Sequence, residues 1–265
     1  MVLARVATAL GIIGAALTAR VGAQDDSAFG LQTLQIDRYV TARLERGRIP
    51  GAAWAIVSGG NVIHLQTFGR ADPSGRSVTA DTPLILGSTT KSITATALMM
   101  LAEAGRVEFD APVIDYLPWF QTRDAGSSAR ITVRHLLNHT SGISGVAGRE
   151  PLADGDTSDA ALDRFVRSLS SVTLVREPGS AFEYSNANYA VLGRIIQEVT
   201  GSTFESFIEH NIFAKLDMGN SFTSQSAAER NGLAMGHRFW FGHPKPAPDM
   251  PFARAVARLS ASAPA

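Results

Sequence analysis

The sequence predicts an α/β protein of the α+β type, an antiparallel sheet flanked by helices, and three observations predict it. Ile36, Val40 and Leu44 recur at helical spacing near the start. Two β-type runs follow with a glycine turn between them, which pairs an antiparallel hairpin with that helix. Ser88 then opens a long apolar helical segment. The chain has 265 residues, 45% hydrophobic and 18% charged, which suits one large domain or two small ones.

The first residues stand apart from this fold. Arg5 supplies a positive start, Val6 to Ala19 is almost unbroken in its apolar character, and Val21-Gly22-Ala23 offers compact residues at a cleavage position. This predicts a signal peptide over 1–23, removed before Gln24, and export to the periplasm or beyond. The run is shorter than the roughly 20 apolar residues of a membrane-crossing helix. An uncleaved N-terminal anchor is the alternative, and no stable membrane span is expected once the leader is removed. The chain has no cysteine, which excludes disulfides, cysteine-held zinc, a thiol nucleophile and a lipoprotein anchor. Lys+Arg and Asp+Glu are both 24, so no basic excess points to nucleic acid.

In chain order, the spacing predicts a helix over about Ser27 to Arg46, stopped by Gly47. Strands follow over Ala52 to Val57 and Val62 to Phe68, joined through Ser58-Gly59-Gly60-Asn61. The helix from Ser88 to Ala104 is apolar on every side, which predicts burial, and Gly105 sits where a left-handed cap belongs. Pro112 and Pro118 mark a loop-rich stretch, and Ile131 to Leu137 begins another helical segment. Gly142 to Asp159 reads as an irregular surface excursion. Tyr189, Leu192, Ile196 and Val199 form a helical stripe closed by Gly201. Ser202-Thr203-Phe204-Glu205 has the capping-box pattern and starts a helix to about Phe213. Ala253 to Ala265 is an irregular Ala/Arg/Ser tail with no strand pattern.

Ser88-Thr89-Thr90-Lys91 carries the chemistry. Residues three apart on a helix are neighbours, so the hydroxyl of Ser88 and the amine of Lys91 come together at a helix start. Backbone N–H groups and the positive helix end favour developing negative charge there. Desolvation favours the neutral amine, which lets Lys91 act as a base or assist a nearby phenol. The structural alternative is a first-turn lysine reaching solvent. Tyr184-Ser185-Asn186 adds a phenol able to shuttle a proton and an amide able to hold both Lys91 and a substrate carbonyl. Taken alone, Tyr184-Ser185-Asn186 reads as a turn after Pro178-Gly179-Ser180.

These motifs together resemble the class C β-lactamase group, which includes D-Ala-D-Ala carboxypeptidases and β-lactamase-like esterases. The resemblance rests on Ser88-Thr89-Thr90-Lys91, on the segment Arg134-His135-Leu136-Leu137-Asn138-His139-Thr140-Ser141-Gly142-Ile143, and on Pro178-Gly179 leading into Tyr184-Ser185-Asn186-Ala187-Asn188-Tyr189. It covers about Leu31 to Phe222. It implies a β-lactamase/transpeptidase-like fold over 27–252, with a mainly helical lobe beside the sheet and the site between them. It further implies that Ser88 is the acylated nucleophile, Lys91 its paired amine, Tyr184 the general base and acid, and Asn186 a substrate-contacting amide. The backbone N–H of Ser88 would be half of the oxyanion hole. Implied substrates are a β-lactam, an ester or a D-amino-acid peptide, with no cofactor and no metal. The sequence does not fix the oligomeric state.

The group's third motif, Lys/His-Ser/Thr-Gly on an edge strand, is not found, because His139-Thr140-Ser141-Gly142 comes too early. The resemblance fades near Pro251, so the last strands are expected to be missing. One absent oxyanion donor costs about 10²–10³ in rate, and absent strands would expose an edge. Weak turnover is therefore expected, and a ligand-binding or sensor relative that is acylated without turnover is the alternative function. His64, His135, His139, His237 and His243 are read as structural or surface residues, since no Glu follows His135 to make a zinc-protease pattern. No Gly-x-Ser-x-Gly elbow points to an α/β-hydrolase.

Overall fold

The computed structural model describes residues 26–147, 160–247 and 260–261. The expected signal peptide, most of the Gly142–Asp159 excursion and most of the 253–265 tail lie outside the described residues.

Helix α1 spans Asp26–Gly47, close to its expected bounds. Strands β1 (Gly51–Ser58) and β2 (Asn61–Gly69) pair antiparallel with a bulge between Ile56 and Val57. Gly59 and Gly60 take φ of 55° and 80°, the two positive values that a tight two-residue hairpin turn requires. Asp37 of α1 fastens the helix to this hairpin, its Oδ1 accepting from Trp54 Nε1 at 3.0 Å and lying 3.2 Å from His64 Nε2. This fixes His64 as a structural residue.

Strand β3 (Leu84–Ile85) leads into a 3₁₀ turn over Gly87–Thr89 and then helix α2 (Thr90–Glu103). Short helices α3 (Val113–Tyr116), α4 (Ala125–Ser128) and α5 (Val133–Leu137) follow, then α6 (Ala161–Ser168), α7 (Asn186–Thr200) and α8 (Phe204–Ile208). Strand β4 (Ser221–Phe222), helix α9 (Gln225–Arg230) and the hairpin β5 (His237–Trp240) and β6 (His243–Pro246) come next, and β7 is Ser260–Ala261.

The apolar core lies in the helical lobe. Leu98, Leu117, Ile131, Leu136, Leu169, Leu192, Ile195, Ile196 and Ile208 are all fully buried there. The β1–β2 hairpin, by contrast, has no fully buried residue, and the two strands pair only with each other among the described residues. On α1, Leu31, Leu34 and Tyr39 are exposed.

Several local expectations change. Helix α2 is not apolar on every side in space: Thr90, Lys91, Thr94, Ala97, Leu98 and Leu101 are buried, whereas Met99 is 59% exposed. One face packs and the opposite face meets water, as 3.6-residue periodicity demands even of an apolar sequence. His135 and His139 do not share a helical face, because α5 ends at Leu137 and His139 takes φ 58°. Thr203, not Ser202, caps α8, accepting from Ser206 N–H at 3.1 Å, and the chain then widens into a π turn over Glu209–Phe213. His237 and His243 sit in paired strands rather than in a loop. The tail is not wholly irregular: β7 lies between β3 and β4, antiparallel to both. A two-residue ladder is made by backbone groups and needs no side-chain alternation.

Candidate active site

Ser88 lies in the 3₁₀ turn ahead of α2, not in the α-helix itself. Gly87, at φ 57°, bends the chain out of β3 into that turn, and Thr90 Oγ1 donates to the Gly87 carbonyl at 2.9 Å. The turn runs straight into α2, so Lys91 still falls one turn beyond Ser88. On the other side, Tyr184 and Asn186 flank Ser185, the extended residue immediately ahead of α7. Because α2 packs against α7, the N-terminal ends of the two helices place Ser88 and Lys91 opposite Tyr184 and Asn186. Helix N-termini carry partial positive charge and favour negative charge developing between them.

The four residues make one connected set. Ser88 Oγ is 2.8 Å from Tyr184 Oη, and Lys91 Nζ donates to Ser88 Oγ at 3.3 Å. Lys91 Nζ also donates to Asn186 Oδ1 at 2.9 Å. Lys91 and Asn186 are buried, while Ser88 and Tyr184 are exposed. The amine therefore sits beneath the hydroxyl, and the hydroxyl faces solvent, where a substrate carbonyl can approach. The alternative of a lysine reaching out to water does not hold for Lys91. Its Nζ also lies 5.0 Å from the centroid of the Tyr184 ring and 5.5 Å from that of Tyr189.

The electrostatics separate the two tyrosines. Burial alone would raise the Tyr184 phenol, but hydrogen bonding with Lys91 and Ser88 and the lysine charge outweigh it, so its pKa falls below 10.0. Tyr189 moves the other way, pushed up by burial and then by Tyr184. A phenol that ionises more readily beside a hydroxyl is suited to take that hydroxyl's proton. Of the two phenols in this cluster, only Tyr184 is so disposed.

All four residues singled out by the sequence are thus brought together. His139, read there as structural or surface, proves to be buried against Tyr184, with ring centroids 4.5 Å apart. Its place in the His139-Thr140-Ser141-Gly142 run was visible, but its left-handed backbone was not. Among the described residues, no group of three or more His, Asp or Glu side chains is placed to hold a metal ion. No helix among them is long and apolar enough to cross a membrane.

A helical lobe beside antiparallel strands, with serine, lysine and tyrosine linked at the helix ends, defines a serine hydrolase fold of the β-lactamase/transpeptidase type. The chain belongs to the β-lactamase family, whose profile, described as Beta-lactamase, matches residues 36–264. It is 34% identical over 213 residues to penicillin-binding protein 4 of Amycolatopsis lactamdurans, covering 80% of this chain and 55% of that protein. Protein flp of Staphylococcus aureus (strain N315) is 31% identical over 205 residues, covering 77% of this chain and 41% of that one. The chain thus spans about half the length of the curated relatives it matches. Among solved structures, the octameric penicillin-binding protein homologue from Pyrococcus abyssi superposes with a TM-score of 0.77 at 28% identity, over 87% of this chain and 54% of that one. EstCE1, a hydrolase with promiscuous acyltransferase activity, gives 0.72 at 25% identity, over 84% of this chain and 67% of that one.

Proposed function

We propose that this protein is an exported serine hydrolase that forms an acyl-enzyme at Ser88 with a β-lactam, ester or D-Ala peptide substrate. One observation carries the reading: Ser88 Oγ lies within reach of both the Tyr184 phenol and the Lys91 amine, with Lys91 held from below by Asn186. In the first step Tyr184, as phenolate, takes the hydroxyl proton while Ser88 Oγ bonds to the substrate carbonyl carbon. The same phenol returns that proton to the departing nitrogen or oxygen as its bond to carbon breaks. Water then repeats the sequence on the serine ester, releasing the acid and restoring Ser88. Lys91 supplies positive charge to the phenolate, and Asn186 keeps the amine in place and offers its amide to substrate.

Pre-steady-state kinetics with nitrocefin, p-nitrophenyl butyrate and a D-Ala-D-Ala peptide test the proposal. The expected result is a burst equal to the enzyme concentration, followed by slower steady release with at least one of the three. A burst that stops after one equivalent supports the second reading, an acylated binding or sensor protein. No burst with any of them sinks both. The lowered Tyr184 phenol sets the pH profile: acylation should rise with pH and level off below 10.0 as the phenolate forms. Tyr184→Phe should remove that rise and slow acylation by about 10²–10⁴.

A further inference from the structure

His139 holds Tyr184 from three directions. Its carbonyl oxygen accepts from Glu183 N–H at 2.7 Å, and its Nδ1 accepts from Ser185 N–H at 3.2 Å. Between these two bonds its ring lies against the Tyr184 ring, 4.5 Å between centroids and tilted 37°. Both backbone neighbours of Tyr184, and the phenol itself, are therefore referred to one residue.

The imidazole is in turn oriented by a buried chain of polar groups. Asn188 Nδ2 lies 3.3 Å from His139 Nδ1, and Asn188 Oδ1 accepts from Ser141 Oγ at 2.7 Å. With that oxygen occupied as an acceptor, the Asn188 amide can only donate to the ring. Two donors converge on Nδ1, so it carries no proton and the ring is the Nε2–H tautomer. His139, Ser141, Ser185 and Asn188 are all buried. Ser185 Oγ also donates to the Ser144 carbonyl at 3.0 Å, which ties the loop after His139 to the stretch of chain carrying Tyr184.

We propose that His139 is a positioning residue for the acylation assigned above to Ser88: through its carbonyl, its Nδ1 acceptor and its ring face, it fixes the Tyr184 phenol over Ser88 and Lys91. The inference rests on that reading for its consequence in catalysis, but the placement of the phenol is measurable by itself. The groups facing the imidazole are Lys91 from α2, Phe182, Tyr184 and the Ser185 backbone N–H ahead of α7, and Tyr189 and Asn188 from α7. Burial first, and the Lys91 charge second, hold the imidazole below its ordinary 6.5. An unfolded chain therefore takes up this proton before the folded one. The contribution of His139 to stability is complete above about pH 6.5 and is lost as the pH falls from there through the folded value. Protonation at Nδ1 turns an acceptor into a donor and ejects the Ser185 N–H and the Asn188 amide.

Tyrosine-selective ¹³C NMR across the alkaline range, with Tyr184→Phe to assign the signal, tests the proposal. Wild-type Tyr184 should titrate below 10.0, and His139→Ala should return it toward that value while slowing Ser88 acylation about ten- to a hundredfold. His139→Asn places Oδ1 where Nδ1 was and tolerates the left-handed backbone. It should recover most of the acylation rate and lose the additional fall in rate that His139 protonation adds, below about pH 6.5, to the Tyr184 profile. A folded His139→Ala protein whose Tyr184 titration and acylation are unchanged overturns the proposal. Should His139→Ala not fold, wild-type ¹⁵N spectra decide: an unprotonated Nδ1 at neutral pH supports it and a protonated Nδ1 overturns it. A Tyr184 titration that moves in His139→Ala, in a protein that no acylating probe labels, supports the positioning and overturns the hydrolase reading alone.

Discussion

Ser88→Ala should reduce covalent labelling by a fluorescent penicillin or a fluorophosphonate to background, with little change in melting temperature. The side chain is exposed and gives the fold nothing but its contacts to Tyr184 and Lys91. Lys91→Met separates chemistry from stability in the opposite manner. It keeps the length of the buried side chain but removes the amine that donates to Ser88 Oγ and Asn186 Oδ1. Labelling should slow by about 10²–10⁴, because without the amine's hydrogen bond and charge the Tyr184 phenol no longer ionises readily enough to act as the proton-transfer partner. Asn186 is left buried without that donor, which costs about 1–3 kcal/mol of stability. Labelling that persists in Ser88→Ala would place the nucleophile elsewhere. Labelling at the wild-type rate in Lys91→Met would remove the amine from the mechanism.

Gly142→Ala should have a large effect on the fold. Gly142 adopts φ 82°, and a Cβ there would collide with the carbonyl oxygen of Arg176. The left-handed backbone alone costs about 1–2 kcal/mol for an ordinary residue. The collision is with backbone, which cannot swing aside, so the total should reach about 3 kcal/mol, the upper end of common single-site losses. Gly105→Ala is the control. Gly105 takes φ 68° and a Cβ there would meet nothing within 4 Å, so only the backbone cost applies. Thermal denaturation should separate the two variants by several degrees at about 2–4 °C per kcal/mol. Equal melting temperatures would mean that the 139–145 segment is not packed against 176–185. Gly142→Ala should also slow acylation, because the same segment carries His139 and bonds to Ser185.

Much of the fold was legible because it is locally encoded. The apolar spacing of α1, the Gly59-Gly60 turn, and the α7 stripe ending at Gly201, which takes φ 69°, each follow from neighbours in sequence. The β5–β6 hairpin was not legible, since Pro244 and Pro246 argue against a strand. Proline is admitted there because, among the described residues, the ladder has two strands, and on an outer edge a missing N–H breaks no ladder bond. Strand β7 was equally hidden, as two residues carry no periodicity. His139 escaped for a different reason. Its spacing from His135 suggested a shared helical face, but Asn138 ends the helix and the chain turns left-handed one residue later.

The sequence by itself determined which groups the site holds: a serine, a lysine one turn on, and a phenol and an amide spaced two apart. Those relations are local, fixed by helical geometry and by motif order. Tertiary structure decided what the groups do to one another. Ser88 and Tyr184 are 96 positions apart, and the 2.8 Å between their oxygens exists only because α2 packs on α7. The same packing buries Lys91 beneath Ser88 and lowers the Tyr184 phenol by bringing it into hydrogen bonds with Lys91 and Ser88 and beside the lysine charge. It also sets His139 behind that phenol. Distance and burial govern hydrogen bonding and ionisation, and neither is a property of residues read one at a time.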